Sequence, residues 1–100
     1  MVKNGLRLKS QVCDAQIIVV KSAPSLDDLR IGGLPMVGLE ADVTAGATAD
    51  PALLGGATLG KRYVSQDGGE VLVTKAGAGT LTIGTTPLLL KEAKPLPASD

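Results

Sequence analysis

Two stretches of this 100-residue chain carry nearly the same pattern in the same order, and that duplication constrains the fold more than any other feature. "QIIVVK" (16 to 21) aligns with "EVLVTK" (70 to 75), and "LRIGGLP" (29 to 35) aligns with "LTIGTTP" (81 to 87). The offset is 54 positions for the first pair and 52 for the second, so the intervening "SAPSLDD" is two residues longer than "AGAGT". Length changes of that kind are tolerated in loops. Two copies are too few for a solenoid, and they suggest pseudo-twofold halves of one small β unit.

Each copy reads as strands. β-Branched residues cluster in short runs bounded by Gly, Pro, Asp and Ser, and helical periodicity is absent. "LRLKSQV" (6 to 12) alternates, placing Leu6, Leu8 and Val12 on one face. "QIIVVK" does not alternate, which predicts that both of its faces are covered, either by a second sheet or by a neighbouring subunit. Asp67-Gly68-Gly69 predicts a tight hairpin between "KRYVS" and "EVLVTK". In the repeated Ile-Gly element, Gly32 or Gly84 turns the chain, and Pro35 or Pro87 opens the next strand, at a sheet edge or a first strand position where a missing amide donor does no harm.

The expected fold is all-β: a small barrel or two-layer sandwich of about seven or eight short strands, built from two pseudo-repeated halves. One domain is expected over residues 1 to 100. Half one covers about 6 to 37 and half two about 59 to 91, with an Ala/Gly-rich acidic connector at 38 to 58 and an extended, proline-containing tail at 92 to 100. Within the connector, Asp50 and Pro51 suit the N-cap and first position of a short helix.

Composition narrows the function. Tyr63 is the sole aromatic residue, so no base-stacking platform exists, and ten basic residues balance ten acidic ones. Neither nucleic acid nor membrane is expected as a partner. No histidine is present, and the single cysteine cannot form an intramolecular disulfide or a Cys/His zinc set; no metal or cofactor is expected. The N-terminal segment lacks a long apolar run, which together with the free thiol points to the cytoplasm.

Candidate chemistry is sparse. Gly55, Gly60 and Lys61 match part of a phosphate-binding loop, but Arg62 replaces the metal-binding hydroxyl and a strand follows instead of a helix. "KAGAGT" (75 to 80) has the glycines of an anion nest, yet its counterpart "SAPSLDD" is acidic, so a plain loop is expected. Asp27-Asp28 fits turn formation better than acid-base work. Cys13 is a candidate reactive thiol, although no histidine exists to activate it. No catalytic residue is assigned.

The expected function is a non-enzymatic interaction or assembly module, a homo-oligomer or the small accessory subunit of a larger complex. Its candidate interface is Leu88, Leu89 and Leu90, where alternation forces at least one side chain away from the core, together with Leu96 as an anchor in the tail. The alternative is a small barrel whose aliphatic lumen takes up a hydrophobic small molecule.

Overall fold

The computed structural model describes residues 2–43 and 46–91. It contains ten strands: β1 (Arg7–Lys9), β2 (Gln16–Lys21), β3 (Leu29–Ile31), β4 (Leu34–Pro35), β5 (Val37–Gly38), β6 (Arg62–Val64), β7 (Glu70–Lys75), β8 (Leu81–Ile83), β9 (Thr86–Pro87) and β10 (Leu89–Leu90). All pairings are antiparallel. One sheet has six strands in the order β5-β1-β2-β7-β6-β10, and the other has four in the order β4-β3-β8-β9. The all-β class is therefore as expected, but the strand count is higher, because β4, β5, β9 and β10 are only two residues each.

A closed barrel is not formed. The larger sheet ends at β5 and β10 and the smaller at β4 and β9, so four edges remain. With 2-residue strands at every edge, few hydrogen bonds are available to join one sheet to the other. A single hydrophobic cluster nevertheless unites both sheets: Leu8, Ile17, Val19, Val71 and Val73 from the larger one meet Leu29, Ile31 and Leu81 from the smaller.

The hairpin at residues 65 to 69 forms as its glycines require. Gly68 has φ 93°, Ser65 N donates to Gly69 O at 2.9 Å, and Gly68 N donates to Ser65 O at 3.2 Å. Both prolines of the Ile-Gly element lie in the outermost strands of the smaller sheet, but each closes its two-residue strand, Leu34–Pro35 or Thr86–Pro87, instead of opening one, because the turn after Gly32 or Gly84 is tight enough for pairing to begin one residue earlier. After each of these strands the chain crosses to the larger sheet. Met36 N donates to Leu29 O and Leu88 N to Leu81 O, each at 3.0 Å, before β5 and β10 begin.

Two local expectations are corrected, and a third is met on one face. "SAPSLDD" is not a plain loop: Pro24–Asp28 is a 3-10 helix that inserts Leu26, 1% exposed, into the core. β1 stops at Lys9, and Leu6 lies outside it and is exposed, so the predicted shared face of Leu6, Leu8 and Val12 is reduced to Leu8. In β2, Ile17 and Val19 are buried against the smaller sheet, whereas Ile18 and Val20 on the opposite face are only half-buried. The later part of the connector is tied down. Asp50 caps a 3-10 turn at Pro51–Leu53 by accepting from Ala52 N at 2.9 Å, and Ala57 pairs with Gly77. Among the described residues, no helix is long and apolar enough to cross a membrane.

Candidate functional site: the cleft beside the β10 edge

β10 is the outermost strand of the larger sheet beyond β6, and it splits the leucine run as alternation demands. Leu88 packs against the core, while Leu89 is 63% exposed and Leu90 44% exposed. Register pairs Leu89 with Val64 and Leu90 with Tyr63. Lys91 N donates to Arg62 O at 2.8 Å. Because bonded and non-bonded pairs alternate in an antiparallel ladder, the Leu90 N–H and C=O point away from β6, toward the free edge. Leu96 lies outside the described residues.

Beside β10 the two sheets diverge around a cleft of about 400 Å³. Val64, Ile83, Pro87, Leu88 and Leu89 supply apolar walls, and Ser25, Ser65 and Asp67 stand at its polar end. Asp67 Oδ1 accepts from Ser25 Oγ and Ser65 Oγ, both at 2.6 Å, and Oδ2 accepts from Ser25 N at 3.0 Å. These bonds stabilise the carboxylate, the Ser25 hydroxyl first, and lower its pKa to about 2. So weak a base does not deprotonate either serine, and no histidine is present to do so. The cluster joins the 3-10 helix to the β6–β7 hairpin and leaves a fixed negative charge at the rim.

A second carboxylate braces the edge from behind. Glu70, at the start of β7, has only 4% of its side chain exposed, yet it receives Lys91 Nζ at 2.8 Å and Arg62 Nη1 at 3.3 Å. The Lys91 hydrogen bond outweighs the effect of burial, with further help from the charges of Lys91, Arg62 and Lys21, so the Glu70 pKa is lowered. Lys91, directly after β10, is thereby tied to β7 across the intervening β6.

Cys13 lies elsewhere, half-buried against the core, and it is free. Burial raises its pKa, but hydrogen bonds involving Ser10 and the backbone near Ala15, Gly79 and Ala78 prevail, and the net shift is downward. The "KAGAGT" segment packs here: a side-chain carbon on Gly77 would fall 2.5 Å from Ala15 N and 2.8 Å from Cys13 Sγ. Packing thus accounts for that glycine. The phosphate-loop pattern is followed by β6, as expected, and no helix N-terminus is presented there. Asp28 pairs with Arg30 at 2.9 Å, and Asp27 accepts from Val2 N at 2.8 Å. Among the described residues, no three His, Cys, Asp or Glu side chains come together.

Asp67 and Glu70 were not singled out by the sequence, where Asp67 reads as a turn residue and Glu70 as the polar end of a strand. The available signal was Glu70's place in the predicted β6–β7 hairpin, which brings it near Arg62; its second partner is 21 residues away and follows only from β10 joining β6. Comparison with protein-family models, curated proteins and solved structures finds no match to this chain.

Proposed function

We propose that this chain is a non-enzymatic interaction and assembly module that associates through β10, with a second copy of itself or as the small subunit of a larger complex. The observation that carries this is the pair Leu89 and Leu90 on a free strand edge beside an apolar cleft. An exposed aliphatic edge is a template for pairing, and β10, although short enough to offer few hydrogen bonds, carries neither charge nor proline to blunt it. The Glu70–Lys91 bond holds that edge in place, so little ordering is needed on association. Size-exclusion chromatography with light scattering tests the proposal. A mass above 10.1 kDa that falls to the monomer value in Leu89→Glu supports it. A native chain that stays monomeric at micromolar concentration and captures no protein from its own lysate counts against it.

A hydrophobic small molecule is the alternative occupant. A cleft of about 400 Å³ falls within the size range of ligand pockets, although it lies at the surface and not in an enclosed lumen. Native mass spectrometry separates the two, since a copurifying compound lost in Ile83→Asp favours the ligand.

We also propose that the two halves are pseudo-twofold copies. Supporting this, β2 lies beside β7 and β3 beside β8, and the flanking strands follow in matching order on each side. The proposed setting is the cytoplasm, where a free thiol such as Cys13 stays reduced.

A further inference from the structure

The balanced total charge conceals a local separation. Side chains of the larger sheet alternate, so Leu8, Ile17, Val19, Val71 and Val73 point to the core, and their neighbours point outward. Register then lines up Arg7, Ile18, Leu72 and Arg62 in one row across β1, β2, β7 and β6. The next row holds Lys9, Gln16 and Lys75. Glu70 is the sole acidic residue in the six strands, and it is engaged by Arg62 and Lys91. Arg7, Lys9 and Lys75 make no ion pair among the described residues. In the smaller sheet the one charged strand residue is Arg30, which Asp28 neutralises. At the centre of the cationic face, Ile18, Val20 and Leu72 are half-buried, and the smaller sheet packs on the opposite side.

We propose that this outer face docks an acidic amphipathic helix of a partner protein. Strands lie about 4.8 Å apart, so Arg7 and Arg62 stand roughly 14 Å from each other across the aliphatic centre. A helix about 10–12 Å across fits over β2 and β7 between them. Its apolar stripe meets Ile18 and Leu72, and carboxylates on its two flanks meet Arg7 and Arg62. A second copy is a poor occupant, because two such faces repel each other and no α-helix is found among the described residues. Nucleic acid is disfavoured by the aliphatic centre, which stacks no base. The surface shares Arg62 with the network that braces β10, but its apolar centre lies on β2 and β7, two strands from β10, so either proposal can fail without the other.

The test uses the full chain and four probes: a synthetic helical peptide with a leucine stripe flanked by glutamates, the same peptide with lysines for glutamates, a single-stranded RNA, and phosphatidylserine vesicles. Binding is measured at low and high salt, and the contact is mapped by NMR amide shifts. The glutamate peptide is expected to bind at least about tenfold tighter than the lysine peptide, to weaken with salt, and to shift amides around Ile18 and Leu72. Arg7→Glu with Lys75→Glu, both at exposed positions, should weaken it by about tenfold or more with an unchanged melting temperature. Leu89→Glu should leave it unaffected. Equal binding of the two peptides, shifts centred on β10, or tighter binding of RNA or vesicles than of the glutamate peptide would overturn the proposal.

Discussion

Ile17 and Ile18 are neighbours in β2 with the same side chain, yet they should respond very differently to truncation. Ile17 is 0% exposed and lies in the cluster shared by both sheets, whereas Ile18 is half-buried on the outer face. Ile→Ala removes three carbon groups, each contributing about 0.8 kcal/mol when fully buried, and a rigid site adds a cavity cost. Ile17→Ala is therefore expected to cost about 3–4 kcal/mol. Ile18→Ala forfeits most of the transfer contribution but leaves no enclosed cavity, and should cost about 1.5–2 kcal/mol. At about 4–8 °C per kcal/mol for a domain of this size, the melting temperature should fall about twice as far in the first variant as in the second. Urea denaturation at dilute concentration provides the free energies, with unchanged m-values confirming that the same surface is exposed. Equal losses, or a larger loss at Ile18, would refute the assignment of inner and outer faces on which the docking proposal rests.

Glu70→Gln weakens two charge-assisted bonds and should cost about 1–3 kcal/mol, detectable as a shifted urea midpoint. The Glu70 and Asp67 pKa values are lowered in the folded chain, Asp67 to about 2, so their stabilisation is complete above the unfolded carboxylate range near pH 4 and is lost as pH falls through the folded values. Urea midpoints should thus drop between about pH 4 and 2, less steeply in Asp67→Asn. Gly77→Ala should destabilise by about 1–3 kcal/mol, because the added carbon meets the Ala15 backbone; a neutral result in a thermal melt would contradict that packing. The pH dependence of Cys13 alkylation should have its midpoint below that of a free cysteine, about 8.5, and denaturation should restore the ordinary value.

Features set by neighbouring residues were legible in the sequence. The Asp67-Gly68-Gly69 turn, the edge placement of Pro35 and Pro87, and the outward turn of part of the Leu88–Leu90 run all follow from backbone preferences and alternation. What escaped depends on distant parts of the chain. Strands of two residues have no pattern long enough to read, so β4, β5, β9 and β10 blurred the count, and barrel closure turns on whether such edges meet. Leu26 entered the core through a 3-10 helix because its loop spans the gap between the sheets, a fact invisible in "SAPSLDD" itself. The cationic row likewise appears only once register places Arg7 and Arg62 on either side of Ile18 and Leu72, 55 positions apart in a chain whose charges cancel.

Hydrogen exchange at the Leu90 amide tests the association account most directly, since that N–H points to the free edge of β10 and has no partner strand among the described residues. Pairing through β10 predicts that its exchange slows as protein concentration rises from sub-micromolar to about millimolar, and that Leu89→Glu abolishes the effect. Fast exchange at every concentration, with a mass that stays at 10.1 kDa, would contradict it.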